Sequence, residues 1–165
     1  MRFDKLKEPF LLTLVGPPLS GKSTWIRKNF IDKGIDITII SRDQILMDVA
    51  ESDDYNWAYK NVNQREVDTE LQRQLTEASE NGYNTIIDMT NMTSKRSQHN
   101  LYNFGDEFTK IAVIFPILDW EEYKIRNDKR NKEENKFIPE NVIKNMIKSY
   151  QPIKDIEGFD KVVSL

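Results

Sequence analysis

Residues 16–23 read Gly-Pro-Pro-Leu-Ser-Gly-Lys-Ser. This stretch matches the pattern G-x-x-x-x-G-K-[ST] at each fixed position. An apolar run, Phe10 to Val15, precedes it, and a helical pattern follows it. Backbone N–H groups in such a turn can surround phosphate oxygens, and a helix that opens at Gly21 directs its positive end toward them. The stretch therefore predicts a phosphate-binding loop between a buried strand and a helix.

The residue types in this loop suit the binding of Mg·ATP. Gly16 and Gly21 lack a Cβ and let the backbone approach a triphosphate closely. Lys22 can reach the β- and γ-phosphates, and the Ser23 hydroxyl is placed to ligate Mg²⁺. The predicted nucleotide-binding residues are Gly16, Pro17, Leu19, Ser20, Gly21, Lys22, Ser23 and Thr24. The alternatives are a chance glycine-rich turn and a loop that binds nucleotide without chemistry.

Short apolar runs alternate with longer periodic segments, which predicts one α/β domain over residues 1–165 with a parallel sheet. The predicted strands are Phe10 to Val15, Ile37 to Ser41, Tyr83 to Asp88, Ile111 to Ile117 and an edge strand, Lys161 to Ser164. No run approaches the roughly 20 apolar residues that span a bilayer. The net charge of −3 argues against a non-specific nucleic-acid coat, and there is no cysteine. We expect a soluble, cytoplasmic protein without a membrane partner.

Four helices are predicted between the strands. The first runs from Gly21 to near Gly34, the third begins at Asp119, and the last has Pro139 in its first turn. The second would bury Val67, Leu71, Leu75 and Ala78, and the last Val142, Ile143, Met146, Ile147 and Tyr150. Residues 127–136 are dense in charge and lack an apolar rhythm, which predicts a mobile loop.

Asp43 follows the second predicted strand in the sequence Ser41-Arg42-Asp43. The carboxyl ends of parallel strands meet at one edge of the sheet, where the phosphates would bind. A carboxylate there could accept the proton of an attacking hydroxyl. Alternatively, Asp43 caps a helix that starts at Gln44. The pattern leaves both interpretations open.

Two arginines could supply positive charge over the γ-phosphate. Arg126 and Arg130 lie four residues apart, at the end of the third helix and the start of the polar stretch, and would share one face. Charge spreads over the γ-phosphate oxygens during phosphoryl transfer, so a pair of arginines that closes on ATP would stabilise it. The alternative is an ordinary solvated charge run, because charged residues surround both arginines.

Further motifs follow in a fixed order: Arg42-Asp43, Asp53-Asp54-Tyr55, Ile86 to Asn91, and Arg126-Asn127-x-Lys129-Arg130. With the phosphate-binding loop, they make the sequence resemble the kinase domain of bacteriophage polynucleotide 5′-hydroxyl kinase over roughly residues 10–150. The resemblance implies an adenylate-kinase-like parallel sheet flanked by helices, with a mobile lid at about residues 126–138. It also implies transfer of the γ-phosphoryl group of ATP to the 5′-hydroxyl of DNA or RNA.

The resemblance assigns roles to single residues. It implies that Asp43 is the general base, Lys22 the phosphate clamp and Arg130 the catalytic lid arginine. Arg126 would lie on the ATP side of the lid. The candidate acceptor-site residues are Arg42, Asp88, Thr90 and Asn91. The last three could instead form a turn that caps the helix after Thr93.

One position departs from the family. Leu46 stands three residues after Asp43, where the phage enzyme has an arginine that grips the phosphate of the acceptor. Leucine cannot make such a charged, bidentate contact. Either the acceptor is held differently, or it is not an ordinary 5′ end. The rival functions are a kinase of a small molecule such as a nucleoside or sugar, a kinase of a modified base in DNA, and a nucleotide-binding module without transfer.

Two remaining features have a structural and a functional interpretation. His99, the only histidine, lies in a polar helical region and is expected at the surface rather than in acid–base catalysis. The segment 53–59 contains Asp53, Asp54, Tyr55, Trp57 and Tyr59. These residues could form a stacking platform for a nucleobase, or simply a loop anchored by aromatic side chains.

Overall fold

A computed structural model describes residues 3–153 and 158–165, and it contains a five-stranded sheet. The strands are β1 (Phe10–Val15), β2 (Thr38–Ile40), β3 (Thr85–Ile87), β4 (Thr109–Ile114) and β5 (Lys161–Ser164). Their order is β2-β3-β1-β4-β5, and each neighbouring pair is parallel. The predicted α/β fold with a parallel sheet is confirmed, including the strand at the edge.

Seven α-helices flank the sheet in the described residues. They are α1 (Lys22–Asn29), α2 (Arg42–Ala50), α3 (Tyr55–Asn61), α4 (Gln64–Glu80), α5 (Ser94–Leu101), α6 (Trp120–Glu134) and α7 (Glu140–Lys148). The first helix is shorter than predicted, because α1 ends at Asn29 and a separate 3-10 turn, Ile31–Lys33, continues to Gly34. Gly34 has φ +65°, a left-handed conformation that suits glycine at the end of a helix.

Both faces of the central strand β1 are covered, which explains why its sequence is mostly apolar. Successive side chains of a strand point to opposite faces. In β1, Leu11 packs in one hydrophobic cluster, while Leu12 and Leu14 pack in the other. The predicted inner face of α4 (Val67, Leu71, Leu75 and Ala78) is buried in the first cluster, as expected. Within the described residues, no helix is both long and apolar enough to cross a membrane.

The prediction of a loop over residues 127–136 is wrong, because α6 continues to Glu134. Asp119 caps its first turn by accepting a hydrogen bond from the Glu122 N–H at 2.9 Å, as the sequence predicted. Farther along, ion pairs between residues four apart replace an apolar rhythm. They join Arg126 to Glu122, Lys129 to Glu133 and Arg130 to Glu134.

Helix α7 also differs in detail from its prediction. Pro139 occupies the position before the helix rather than its first turn. Of the five apolar residues expected inside, Ile143 is fully buried and the other four are only half-buried. The helix therefore lies across the surface of the domain and contributes one side chain to its interior.

Candidate active site

The phosphate-binding loop (residues 16–24) joins the end of β1 to the start of α1, as predicted. Gly21 lies immediately before α1 with φ +98°, a conformation that L side chains rarely adopt. At Gly16 the constraint is space: an added Cβ would lie 2.8 Å from the Cβ of Phe115. Both glycines are therefore required by the backbone path that the loop follows.

Lys22 lies at the centre of this loop and is nearly buried, with 9% of its surface exposed. Its ammonium group donates hydrogen bonds to the carbonyl oxygens of Gly16 (3.0 Å) and Pro17 (2.7 Å). Burial lowers the pKa of Lys22 to about 8, although the carboxylates of Asp88 and Asp43 oppose the shift. Bound phosphates would supply the opposite charge that this ammonium group lacks.

Ser23 and Asp88 bring two oxygen donors together at the edge of the loop. The Ser23 hydroxyl donates to Asp88 Oδ2 at 3.2 Å. Burial raises the pKa of Asp88, against the attraction of Lys22. Hydroxyl and carboxylate oxygens are suitable ligands for Mg²⁺, which completes its shell with water and phosphate oxygens. The structure thus places Asp88 next to the predicted metal ligand. Thr24 lies exposed on α1.

Asp43 lies in the first turn of α2, and it does not cap that helix. The helix begins at Arg42 after Ser41, two residues earlier than the capping interpretation required. The Asp43 carboxylate instead accepts hydrogen bonds from the Tyr55 hydroxyl (3.3 Å) and from the Lys136 ammonium group. Its side chain is half-exposed, so one side of the carboxylate remains open to solvent.

Arg126 and Arg130 lie one turn apart on α6, on the side of the helix that faces the phosphate-binding loop. Arg126 donates to Glu122 at 2.6 Å and to the carbonyl oxygen of Leu19 at 3.0 Å. Arg130 pairs with Glu134 at 3.1 Å and is close enough to Lys22 to lower its pKa by repulsion. Arg126 therefore contacts the loop directly, Arg130 lies one turn farther along the helix, and both side chains are half-exposed.

Two of the candidate acceptor-site residues lie after β3 and connect it to β1. Asn91 is 2% exposed; its amide donates to the carbonyl oxygen of Leu14 (2.9 Å) and accepts from Asn100 (3.1 Å). The carbonyl oxygen of Thr90 accepts a hydrogen bond from the Gly16 N–H at 2.9 Å. These contacts hold the end of β1 and the first residue of the phosphate-binding loop in place. They are not the helix cap that was the alternative, because Thr93 precedes α5 without a capping side-chain bond.

Arg42 and Leu46 both lie on α2. Arg42 forms an ion pair with Asp68 at 2.9 Å and donates to Gln64 at 2.9 Å, so its guanidinium group is directed toward α4. Leu46 is 1% exposed and belongs to the hydrophobic core. The position that departs from the phage pattern is therefore a packing position in this chain.

Sequence reasoning missed Lys136 and the role of Tyr55. Lys136 follows α6, is 7% exposed, and contacts Asp43. Its ammonium group lies 3.7 Å from the centroid of the Tyr55 ring, a cation–π contact. Burial lowers the pKa of Lys136, while Asp43 opposes the shift. The one available signal was that Lys136 ends the charged run and is followed directly by Phe137 and Ile138.

The other two features have clear positions. His99 is exposed on α5, as predicted. Asp54 caps α3 by accepting a hydrogen bond from the Trp57 N–H at 3.0 Å, so the acidic–aromatic segment is a helix rather than a loop. Tyr55 and Tyr59 stack with ring centroids 6.1 Å apart. Trp57 and Tyr59 are more than half-exposed.

The parallel sheet, with the phosphate-binding loop between β1 and α1, has the architecture of a P-loop kinase. A family model described as an AAA domain matches residues 11–153, and the chain belongs to this family. No curated protein matches the chain at a significant level.

Solved structures share this fold. A chain of the Pnkp1/Rnl/Hen1 RNA repair complex is 26% identical with a TM-score of 0.69, and the match covers 90% of this chain but 46% of that one. This chain thus spans less than half of that relative. A chain of the Streptococcus pneumoniae PezAT toxin–antitoxin system is 16% identical with a TM-score of 0.67, and the match covers 97% of this chain and 68% of that one. Chaetomium thermophilum Kti12, solved with ADP-AlF3, is 13% identical, with TM-score 0.64 and coverage of 94% and 88%.

Proposed function

We propose that this protein is an ATP-dependent kinase that transfers the γ-phosphoryl group to a hydroxyl, with the 5′-hydroxyl of a polynucleotide as the first choice of acceptor. One observation carries the proposal. The phosphate-binding loop follows β1 and Asp43 follows β2, so the buried Lys22 ammonium group and the half-exposed Asp43 carboxylate both lie at the carboxyl edge of the parallel sheet. A phosphate-binding cation and a candidate base therefore lie at the same edge of the sheet.

Each residue has a distinct task in this mechanism. Lys22 exchanges its contacts with loop carbonyl oxygens for phosphate oxygens, which need several converging donors. Asp43 accepts the proton of the attacking hydroxyl. Arg130 and Arg126 offset the negative charge that develops on the transferred group. When bound, Mg²⁺ would neutralise part of the negative charge of the phosphates.

The proposed metal ligands are Ser23 and Asp88, because their oxygens already lie 3.2 Å apart. The Ser23 hydroxyl and the Asp88 carboxylate would hold Mg²⁺ in place of this hydrogen bond. Asn91 is left out of the proposed acceptor site, because its side chain is buried and already bonded to Leu14 and Asn100.

The choice of acceptor rests on similarity to other proteins. The order of motifs and the 26% identity to a chain of an RNA repair complex support a polynucleotide 5′-hydroxyl. Two observations favour the rival, a small-molecule hydroxyl. Leu46 is buried in the core, and the chain carries a net charge of −3, which repels nucleic acid at long range.

A panel of acceptors tests the proposal. Label from γ-labelled ATP is followed into 5′-hydroxyl DNA and RNA oligonucleotides, nucleosides and sugars. The wild-type enzyme is compared with Asp43→Asn and with Asp32→Asn, an exposed aspartate in the 3-10 turn after α1. We expect label in the oligonucleotides, retained by Asp32→Asn and lost by Asp43→Asn. Label in metabolites alone would refute the polynucleotide acceptor, and ATP binding without any transfer would indicate a nucleotide-binding module.

A further inference from the structure

Two hydrogen bonds connect the residue that follows helix α6 to the beginning of helix α3. Asn135 ends α6 with φ +48°, and its carbonyl oxygen accepts a hydrogen bond from Asn56 at 2.8 Å. Its own amide donates to Asp54 Oδ2 at 3.1 Å. These two bonds bring the next residue, Lys136, over the first turn of α2. The helix that carries Arg126 and Arg130 is thereby connected to the region of the candidate base.

The Lys136 ammonium group is enclosed between one carboxylate and one aromatic ring. It contacts Asp43 Oδ2 and lies over the Tyr55 ring, while the Tyr55 hydroxyl donates to Asp43 Oδ1. Both carboxylate oxygens therefore have a partner. The positive charges of Arg130 and Lys22 repel the Lys136 ammonium group and so disfavour its charged form.

This position is costly for a lysine if its only purpose is stability. Burying an ammonium group is unfavourable, and a hydrophobic residue of similar volume often stabilises such a site at least as well. The electrostatic gain is also limited, because the Asp43 side chain is 53% exposed and solvent weakens the pair. What Lys136 does supply is orientation: with Tyr55, it restricts the Asp43 carboxylate to one arrangement.

We propose that Lys136 is a positioning residue that aims the Asp43 carboxylate at the acceptor hydroxyl. This inference rests on the proposed function, since it assumes that Asp43 is the base. It adds that the base is aimed by a residue at the end of α6, so the arginine-bearing helix and the base are set in place together. A group misplaced by about 1 Å can lose about 100-fold in rate, so the contribution of aiming is large enough to measure.

Replacement of Lys136 by methionine tests the inference, because an effect on aiming should change kcat and leave KM nearly unchanged. We expect kcat to fall about 10- to 100-fold, with the KM values for ATP and acceptor changed less than about twofold. Lys132→Met, which replaces an exposed lysine in the last turn of α6, is the matched control and should behave as wild type. In an Asp43→Asn background, Lys136→Met should cause no further loss. An equal loss in both backgrounds, or a raised acceptor KM at constant kcat, would overturn the inference.

The absence of cysteine from the chain allows a chemical rescue. Lys136→Cys introduces a single thiol, which 2-bromoethylamine alkylates to an ammonium-bearing side chain close in length to lysine. Iodoacetamide gives a neutral adduct at the same atom, and mass spectrometry confirms complete modification. We expect the aminoethyl form to regain at least about tenfold in kcat over the neutral form. Equal activity of the two adducts would show that the charge at position 136 does not aim the base.

A denaturation cycle separates this inference from the proposed function, because it needs no substrate. Wild type, Asp43→Asn, Lys136→Met and the double variant are unfolded in urea. The two substitutions should couple by about fivefold or more in the unfolding equilibrium constant, as expected for residues in contact. Additive effects would overturn the inference even if the wild type transfers phosphate. Coupling in a protein that transfers no phosphate would refute the role of Asp43 instead.

Discussion

Raising the pH from 7 to 9 should weaken the binding of Mg·ATP about tenfold, because Lys22 loses its charge over this range. Burial lowers the pKa of Lys22 to about 8 in the free protein. Bound phosphate oxygens favour the ammonium form, so binding requires a protonated Lys22. The protonated fraction falls from about nine-tenths at pH 7 to about one-tenth at pH 9. The corresponding loss of binding free energy is about 1.4 kcal/mol.

Isothermal titration calorimetry measures this directly, at constant ionic strength and saturating Mg²⁺. Lys28→Met, which removes an exposed lysine from the same helix, should keep the tenfold change. Lys22→Arg carries a charge that is not lost below pH 12, so its affinity should be nearly independent of pH. Equal affinities of the wild type at pH 7 and pH 9 would show that the charge of Lys22 does not govern the binding of Mg·ATP. So would an equal pH dependence in Lys22→Arg.

Four substitutions test other parts of the account. Asp43→Asn should lower kcat by about 100- to 10,000-fold with an unchanged Kd for ATP, and an unchanged rate would exclude a general base there. Arg130→Ala should lower kcat by about 100-fold, whereas wild-type turnover would make this arginine part of a solvated surface. Asn127→Ala removes hydrogen bonds of 2.8 and 3.2 Å to the backbone of Ile138. Urea denaturation should show that the free energy of unfolding falls by about 1–3 kcal/mol. A fall of less than about 0.5 kcal/mol, as for a neutral surface change, would show that these bonds do not stabilise the fold. Leu46→Arg should destabilise the fold by about 3–5 kcal/mol, and a stable variant with a lower KM for oligonucleotides would show that position 46 faces the acceptor.

The elements that local patterns determine were predictable from the sequence. Strand β1 has the bounds that its apolar run indicated, because burial on both faces favours a nearly continuous apolar sequence. The four inner residues of α4 follow from helical spacing, and the phosphate-binding loop from its fixed glycine, lysine and serine positions. In each case the residues that decide the structure are close together in the chain.

Helix α6 shows where such reasoning fails. Its second half has no apolar stripe, so a search for hydrophobic periodicity finds a loop. The helix is supported instead by charge pairs four residues apart and by Asn127, whose buried amide holds the backbone of Ile138. Charged residues at this spacing also occur in solvated, unstructured segments. The sequence alone is therefore compatible both with a helix and with an unstructured segment in this region.

The environment of the candidate base was beyond a local pattern for a different reason. Lys136 contacts Asp43 across 93 positions of sequence, and the Tyr55 ring lies beneath its ammonium group. Nothing near Lys136 in the chain shows which carboxylate it will contact, since hydrogen bonds of the preceding residue, Asn135, to Asn56 and Asp54 help to bring them together. Tertiary contacts also decided between the two interpretations of Asp43, because its carboxylate bonds to side chains rather than to the start of α2.

A crystal structure with Mg²⁺ and a non-hydrolysable ATP analogue would show whether the triphosphate lies between Lys22 and Asp43. We expect the Lys22 ammonium group to leave the carbonyl oxygens of Gly16 and Pro17 and to bind β- and γ-phosphate oxygens, with the Ser23 hydroxyl on Mg²⁺. The γ-phosphorus should face the Asp43 carboxylate across a gap that fits one hydroxyl group. A triphosphate bound elsewhere, or a γ-phosphate directed away from Asp43, would exclude the roles proposed for these two residues.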